Sequence, residues 1–191
     1  MTLPSACIGV RVKDGLPDLN EALRSIVQQD YEGRIVVRVR VDAATMDHSF
    51  QNAQIFQATH SGSGGRREWH VRYSPLPETL FVATLRIFEE CKEDALVWLD
   101  HDNVFYPDRI RASVGACWPG PGLCISQAES NRPEGSNILR EFPSDKFALT
   151  RESLLHRMNW ADSLNMRWRM DFVRTAVVPA MHAALDLVTP R

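Results

Sequence analysis

Apolar residues in the first half of the chain follow two periods, which together predict alternating strands and helices. Short, mostly apolar runs predict buried strands over Cys7–Val12, Ile35–Val41 and Ala95–Leu99. Between these runs, apolar residues at i, i+3, i+4 and i+7 predict helices over 19–27 and 78–91 that pack one face on a sheet. A strand, a helix and a second strand in this order predict parallel pairing through a right-handed crossover.

Local signals predict where the first helix begins and how the rest of the chain continues. Asp18 is expected to cap the first helix, with Glu21 as its capping-box partner. Weaker patterns predict, in chain order, a helix over 49–58, a strand over 69–73, a helix over 107–116, strands over 123–127 and 146–150, a helix over 151–158 and a final helix that opens at Asp162 or Asn165. The final helix is expected to present one apolar face, formed by Met166, Met170, Val173 and Val177.

Strands and helices that alternate in this way predict an α/β fold, a three-layer α/β/α sandwich around a mostly parallel central sheet. The chain has 191 residues, enough for one domain with a sizeable core. Because no internal repeat and no linker-like segment interrupts the pattern, we expect a single domain over 1–191.

Charge, hydropathy and cysteine spacing narrow the function classes. A net charge of −2 at neutral pH does not favour a nucleic-acid-binding protein. No apolar run approaches the roughly 20 residues that span a bilayer, and the first residues lack a signal-peptide pattern, so we expect a cytoplasmic chain with no integral membrane segment. The four cysteines include no C-x-x-C pair, which favours buried free thiols over a zinc site.

The strongest chemical signal is Asp100-His101-Asp102, which directly follows the predicted strand Ala95–Leu99. In open α/β sheets, ligands bind outside the carboxyl ends of the strands. Two carboxylates at such a tip repel each other unless a proton or a cation neutralises them, which suits Mg²⁺ or Mn²⁺ with a phosphorylated ligand. A pair of turn or capping aspartates is the alternative. His101 is expected to point away from the two acids and to position the turn.

Four segments, in order and spacing, resemble a known family. They are Ala22–Tyr31 at the end of the first helix, Ile35–Asp47 with the second strand, Trp98–Asn103 followed by Pro107, and Lys146–Arg151. They resemble glycosyltransferase family 2, whose members have the GT-A fold, and the resemblance covers most of residues 6–175. It implies one GT-A-like domain, with a donor-nucleotide half at about 1–103 and an acceptor half at about 104–191.

The resemblance also implies roles for the acids at the strand tips. Asp42 would contact the donor nucleobase, and Asp14 stands where the family usually has a donor-side asparagine. Asp100 would hold the donor ribose or the metal, and Asp102 would bind the Mn²⁺ or Mg²⁺ that bridges the donor diphosphate. Where the family has a second acid after the second strand, this chain has Ala43, which leaves one side-chain contact fewer to the nucleotide.

The catalytic base is the least matched part of the resemblance. The family places it in an acid pair at the start of a late helix, and the nearest match is Met170-Asp171, which lacks the first acid. Asp162 is the rival candidate. Asp171 would otherwise form a surface ion pair with arginines of its own helix, such as Arg167 or Arg174.

The resemblance implies a metal-dependent, inverting glycosyltransferase that takes a sugar from a nucleoside-diphosphate donor, with a UDP-sugar as the commonest donor in such folds. The acceptor is left open among polysaccharide, lipid, protein and nucleic acid. Two alternatives stand beside it. The first is a nucleotidyltransferase on the same architecture, although the usual glycine-rich basic loop after the first strand is missing. The second is a non-catalytic domain that binds a nucleotide or a sugar.

Overall fold

The computed structural model describes residues 2–62, 66–117, 123–125 and 166–188. Within them, six strands form one sheet in the order β3-β2-β1-β4-β6-β5. The strands are β1 (Ala6–Val12), β2 (Ile35–Val41), β3 (Arg67–Tyr73), β4 (Ala95–Asp100), β5 (Leu123–Ile125) and β6 (Met166–Arg169). The helices are α1 (Leu19–Val27), α2 (Ser49–His60), α3 (Leu80–Glu90), α4 (Arg109–Cys117), α5 (Met170–Phe172) and α6 (Val178–Val188), with a π-helical turn over Val173–Val177.

The sheet is mostly parallel, as the sequence predicts. Strands β3, β2, β1 and β4 run parallel, whereas β6 runs antiparallel to both β4 and β5. One apolar core lies between the sheet and helices α1, α2 and α4, and includes Ile8 and Leu23. A second core lies on the opposite face under α3 and α6, and includes Phe88 and Met181. These two cores give the predicted three-layer α/β/α arrangement.

Helix α1 forms where the apolar stripe predicts it, but without the predicted capping box. Leu19, Leu23 and Ile26 are fully buried. Asp18 has helical backbone angles (φ −63°, ψ −32°) and its side chain makes no capping hydrogen bond. A capping side chain reaches back to the helix from an extended backbone, so the conformation of Asp18 removes that contact. Helix α3 shows the capped form instead, because Thr79 Oγ1 accepts a hydrogen bond from the Val82 N–H at 3.3 Å.

The prediction of one final helix that includes Met166 is wrong. Met166–Arg169 is strand β6, and Leu96 of β4 pairs with Trp168. The sequence Met-Arg-Trp-Arg alternates apolar and polar residues, which is the period of a strand. Helical structure begins at Met170 and passes through the π-helical turn before Pro179, which has no N–H to donate to the preceding turn. The positions 146–165, with their predicted strand, helix and helix start, lie outside the described residues.

Several element ends move by a few residues from the predicted ones. Helix α2 extends to His60, and β3 begins at Arg67, so the intervening loop is shorter than predicted. Helix α3 begins at Leu80 rather than at Glu78. No helix in the described part of the chain combines the length and the apolar character needed to cross a membrane.

Candidate active site at the carboxyl edge of the sheet

The strand order brings three predicted acids to one edge of the sheet. Strand β1 lies between β2 and β4, and its Val12 and Arg11 pair with Val41 and Asp100 respectively. Asp42 therefore follows β2 on one side of β1, and Asp100 ends β4 on the other side. Neighbouring strands are about 4.8 Å apart, so the two tips are separated by about 10 Å. The turn after β1, which contains Asp14, lies between them.

Asp42 joins the tip of β2 to the start of α3. Its Oδ1 accepts a hydrogen bond from the Ala44 N–H at 2.6 Å, and its Oδ2 accepts one from the Glu78 N–H at 3.1 Å. The backbone N–H of Asp42 donates to the Val12 carbonyl at 2.9 Å. The side chain is half-buried and fixed by backbone donors, which orients a carboxylate at the tip of β2.

Asp14 holds the turn after β1 against the turn after β2. Its backbone lies in the left-handed region with φ 49°, which aspartate tolerates better than most residues. Its Oδ1 accepts a hydrogen bond from the Met46 N–H at 2.6 Å. Asp47 makes a second link, since its Oδ2 accepts from the Leu16 N–H at 2.9 Å. Desolvation raises the pKa of Asp47, but hydrogen bonds from Ser49 and from the Leu16 N–H outweigh it, so the pKa is lowered overall.

Asp100 is paired with Arg11, a residue that the sequence analysis did not single out. Arg11 Nη2 lies 2.8 Å from Asp100 Oδ1, and Nη1 donates to Thr84 Oγ1 at 2.8 Å. The guanidinium also lies 4.8 Å from the ring centroid of Trp98, within the range of a cation–π interaction. Arg11 is the one charged residue of the otherwise apolar strand β1, and this is the sequence signal that could have identified it.

Trp98 can take this position because Gly9 opposes it on β1. The two residues are register partners, and a Cβ at Gly9 would lie 2.7 Å from the Trp98 ring. Trp98 is 2% exposed and meets Phe88 edge-on with ring centroids 5.6 Å apart. The indole is therefore fixed in the core beneath the Arg11 guanidinium.

Asp102 and His101 form the turn that follows β4. Asp102 is exposed, and its Oδ1 accepts a hydrogen bond from Asn103 Nδ2 at 3.0 Å. The His101 ring packs on the turn after β1, since a Cβ at Gly15 would lie 3.1 Å from His101 Cδ2. The His101 ring therefore lies against the turn after β1, and Asp102 is exposed to solvent beside it.

An arginine–glutamate network fixes the start of α3 next to Asp42. Arg40 Nε and Nη2 each lie 2.7 Å from an oxygen of Glu78, and Ser74 Oγ donates to Glu78 at 2.9 Å. The hydrogen bonds from Arg40 lower the pKa of Glu78, against an opposing effect of desolvation. Both side chains are about nine-tenths buried. The network holds the Glu78 N–H in place to donate to Asp42.

Asp100 and Asp102 provide the oxygen ligands that Mg²⁺ and Mn²⁺ prefer, so the donor set fits such a cation. The two acids differ, because Asp100 already has the Arg11 cation at 2.8 Å and Asp102 is exposed to solvent. Mg²⁺ commonly binds through one or two carboxylates and completes its coordination with water and phosphate. Asp102 is thus the better placed of the two acids for a cation shared with a phosphorylated ligand.

Asp171, expected as the catalytic base, is not brought to this edge. Strand β6 runs antiparallel to β4, and the Met170 N–H donates to the Asp94 carbonyl at 2.9 Å, before β4 begins. The six residues of β4 separate that point from Asp100 by about 20 Å. Asp171 is exposed and lies at the opposite edge of the sheet from Asp102, and its role as the base stays a prediction. Asp162 lies outside the described residues, and its role stays a prediction.

Comparisons with known proteins identify the fold. A scan of protein-family models finds no match, and neither does a search of curated protein sequences. Among solved structures, TarS 1-349 from S. aureus matches with a TM-score of 0.65 and 13% identity, over 89% of this chain and 48% of that chain. TarS 1-349 in complex with UDP-GlcNAc matches with the same TM-score and identity, over 89% of this chain and 46% of that chain.

A second solved protein gives the same result. The mannosyltransferase PcManGT from Pyrobaculum calidifontis, in complex with GDP-Man and Mn²⁺, matches with a TM-score of 0.62 and 14% identity, over 91% of this chain and 47% of that chain. The chain therefore spans about half the length of the structures that it matches. These likenesses confirm the GT-A fold that the sequence predicts.

Proposed function

We propose that this chain carries the donor side and the acceptor side of a metal-dependent, inverting glycosyltransferase that uses a nucleoside-diphosphate sugar, with UDP as the nucleotide. The observation that carries the proposal is the meeting of Asp42 with Asp100 and Asp102 at one edge of a GT-A sheet. Structures with the same fold hold UDP-GlcNAc, or GDP-Man with Mn²⁺. The acceptor stays open.

The nucleotide is assigned to the side of the site formed by β1 and β2. Asp42, fixed by the Ala44 and Glu78 N–H groups, would accept a hydrogen bond from the nucleobase. Asp14 holds the turn over which the nucleotide would lie. In this proposal residues 1–103 carry the donor contacts, and residues 104–191 carry the acceptor side.

The diphosphate is assigned to the side formed by β4. Asp102 would bind the divalent cation, and Asp100 would stay anionic beside Arg11 and hold the ribose or a metal-bound water. When bound, the cation offsets the negative charge that develops on the leaving diphosphate. Arg11 keeps the first acid in one position, because its guanidinium is held at the same time by Thr84 and over Trp98.

The acceptor base is assigned to Asp162, since Asp171 lies at the other edge of the sheet. A carboxylate with this role accepts the proton of the acceptor hydroxyl as the oxygen attacks the sugar. The attack takes place on the side of the sugar opposite to the diphosphate, which inverts the configuration of the anomeric carbon.

Titration calorimetry with UDP, with and without Mn²⁺, tests the donor part of the proposal. We expect UDP to bind much more tightly with Mn²⁺, and Asp102→Ala to remove that difference. Asp108→Ala is the matched control, because Asp108 is an exposed acid six positions further along the chain. If UDP binding does not respond to Mn²⁺, or if both variants behave alike, the proposed site is wrong.

The assay product separates the alternatives. A nucleotidyltransferase would bind a nucleoside triphosphate and release pyrophosphate, whereas a glycosyltransferase would release UDP. A non-catalytic nucleotide-binding domain is favoured by one observation, namely that Asp171 lies too far from Asp100 to act as a base there. Mn²⁺-dependent UDP binding without hydrolysis or transfer of any UDP-sugar would support that second candidate.

A further inference from the structure

At the other edge of the sheet, two thiols and a carboxylate meet inside the core. Cys7 is the second residue of β1, Cys91 directly follows α3, and Glu93 precedes β4. One ligand atom from each lies within 4.8 Å of the others. Cys7 and Cys91 are fully buried, and Glu93 is 3% exposed. The proposed donor site uses none of these residues.

The charges around this cluster are unusual for an apolar core. Arg38 Nη2 lies 3.7 Å from Glu93 Oε2, and both side chains are largely buried. Arg38 Nε is buried and has no hydrogen-bond partner in the described part of the chain. Cys7 and Cys91 are free thiols, and burial, followed by the neighbouring Cys91 thiol, raises the pKa of Cys7 well above its ordinary value. Without a metal ion, the cluster holds neutral thiols and an incompletely satisfied guanidinium.

We propose that Cys7, Cys91 and Glu93 bind a zinc ion through two sulfur atoms and one carboxylate oxygen, with a water molecule as the fourth ligand. Bond lengths of about 2.3 Å to sulfur and 2.1 Å to oxygen place the ligand atoms of tetrahedral zinc about 3.5–3.8 Å apart. In the structure the three ligand atoms lie within 4.8 Å of one another, which is about 1 Å more than the distances in tetrahedral zinc. Small rotations of the side chains can close this difference.

Charge balance supports zinc at this position. Two thiolates and one carboxylate carry three negative charges, and zinc with the Arg38 guanidinium carries three positive charges. The three ligands, the zinc and Arg38 are therefore neutral together, which lowers the cost of keeping these charged groups in the core. The exposed Arg174 lies beside them and donates to the Cys91 and Glu93 carbonyls at 3.3 and 3.0 Å. Binding releases the two thiol protons to solvent. Thiolate ligands select zinc over Mn²⁺ and Mg²⁺, which prefer oxygen.

The proposed ion would have a structural role. It would join the start of β1 to the segment between α3 and β4, positions far apart in the chain but adjacent in the sheet. Each structural zinc site contributes directly to folding free energy. Because the cluster lies at the edge opposite to Asp102, the proposal does not depend on the donor site, and either can fail without the other.

Production of the full chain in cobalt-supplemented medium tests the site, because the metal is then present while the protein folds. We expect one Co²⁺ per chain that survives dialysis, with a thiolate-to-cobalt charge-transfer band in the near ultraviolet and the visible bands of tetrahedral cobalt. Only cysteine ligation gives that charge-transfer band, so Co²⁺ at Asp102 does not mimic it. Zinc should displace the cobalt with loss of the band.

Two substitutions assign the ligands. Cys91→Ser should weaken or remove the charge-transfer band, and Glu93→Gln should lower metal affinity by roughly tenfold or more. Glu90→Gln is the matched control, because Glu90 is the last residue of α3, directly before Cys91, and pairs with Arg40 outside the cluster. It should leave the band unchanged.

The wild-type spectrum can overturn the proposal by itself, even if a variant does not fold, whereas the loss of the band in Cys91→Ser assigns it to this cluster and not to Cys117 or Cys124. A folded wild-type protein without the charge-transfer band would overturn the proposal. So would a band that survives Cys91→Ser at full strength, or a peptide map of the isolated protein that finds Cys7 and Cys91 joined as a disulfide.

Discussion

The Arg11 guanidinium lies 2.8 Å from the Asp100 carboxylate, and the two residues are direct register partners on neighbouring parallel strands. The first acid of the Asp-His-Asp turn therefore has its own cation within the protein. Asp102 has no ion pair among the described residues and lies exposed beside it. A divalent cation at this turn would depend on Asp102 more than on Asp100.

Replacing Arg11 by Met removes that built-in cation and keeps an aliphatic side chain. We expect Mn²⁺ to bind about two- to tenfold more tightly without nucleotide, because the site loses one nearby positive charge. The free energy of unfolding should fall by about 1–3 kcal/mol, since Asp100 loses a charged hydrogen bond. Electron paramagnetic resonance of free Mn²⁺ and urea unfolding measure the two effects. Arg24→Met makes the same charge change on the exposed side of α1, and equal Mn²⁺ affinities in the two variants would contradict the argument.

Gly15→Ala tests the contact between the turns after β1 and β4. The added Cβ would lie 2.9 Å from Val12 Cγ1 and 3.1 Å from His101 Cδ2, so the His101 turn must shift. We expect weaker UDP binding and a stability loss of about 1–3 kcal/mol. Gly115→Ala is the control, because a Cβ there meets nothing within 4 Å in α4 and alanine favours a helix. Gly115→Ala should raise the melting temperature. If Gly15→Ala leaves the UDP affinity unchanged, the turn after β1 is not part of the donor site.

The Arg40–Glu78 pair predicts how stability changes in acid. Hydrogen bonds from Arg40 lower the pKa of Glu78 below the unfolded value of 4.5. A carboxyl of this kind stabilises the fold above the unfolded pKa, and the contribution is lost as the pH falls through the lowered folded pKa. Glu78→Gln should therefore cost about 2–3 kcal/mol at neutral pH and make stability less steep below about pH 4.5.

Urea unfolding at several pH values measures this difference. Glu21→Gln is the matched control, since Glu21 is exposed on α1 and has no ion pair within the described residues. An acid profile of Glu78→Gln as steep as that of the wild type would show that the Arg40 pair does not control it.

The two candidate bases make opposite predictions. Asp171→Asn should leave both UDP binding and sugar transfer unchanged, because Asp171 lies about 20 Å from Asp100 across β4. Asp162→Asn should keep UDP binding and lower turnover by roughly 100-fold or more, as expected for loss of a general base. Release of UDP from a UDP-sugar measures both. A loss of turnover in Asp171→Asn alone would reverse the assignment.

The parts of the fold that follow from local pattern were predictable. Apolar runs located β1, β2 and β4, and the acids directly after them fall at one edge because parallel strands end together. Arg11 was missed because a charged residue within a strand does not reveal its partner on the next strand. The pairing with Asp100 needs the register between β1 and β4.

The position of Asp171 at the opposite edge was not predicted, for a related reason. Over the four residues Met166–Arg169, the apolar spacing fits a helix that extends from Met170 as well as it fits a strand. The structure forms the antiparallel strand β6, which carries the following residue to the opposite edge of the sheet. The cluster of Cys7, Cys91 and Glu93 was missed because its members come together only through the fold, so no short spacing marks them.

The Trp98 indole fills the space that any side chain at position 9 would need, so a large residue at position 98 requires glycine at position 9. The indole in turn supports Arg11, which holds Asp100. Evolution at these two buried positions should therefore be coupled. Related chains that carry a side chain at position 9 are expected to have a smaller residue at position 98 and a different means of holding the first acid of the turn.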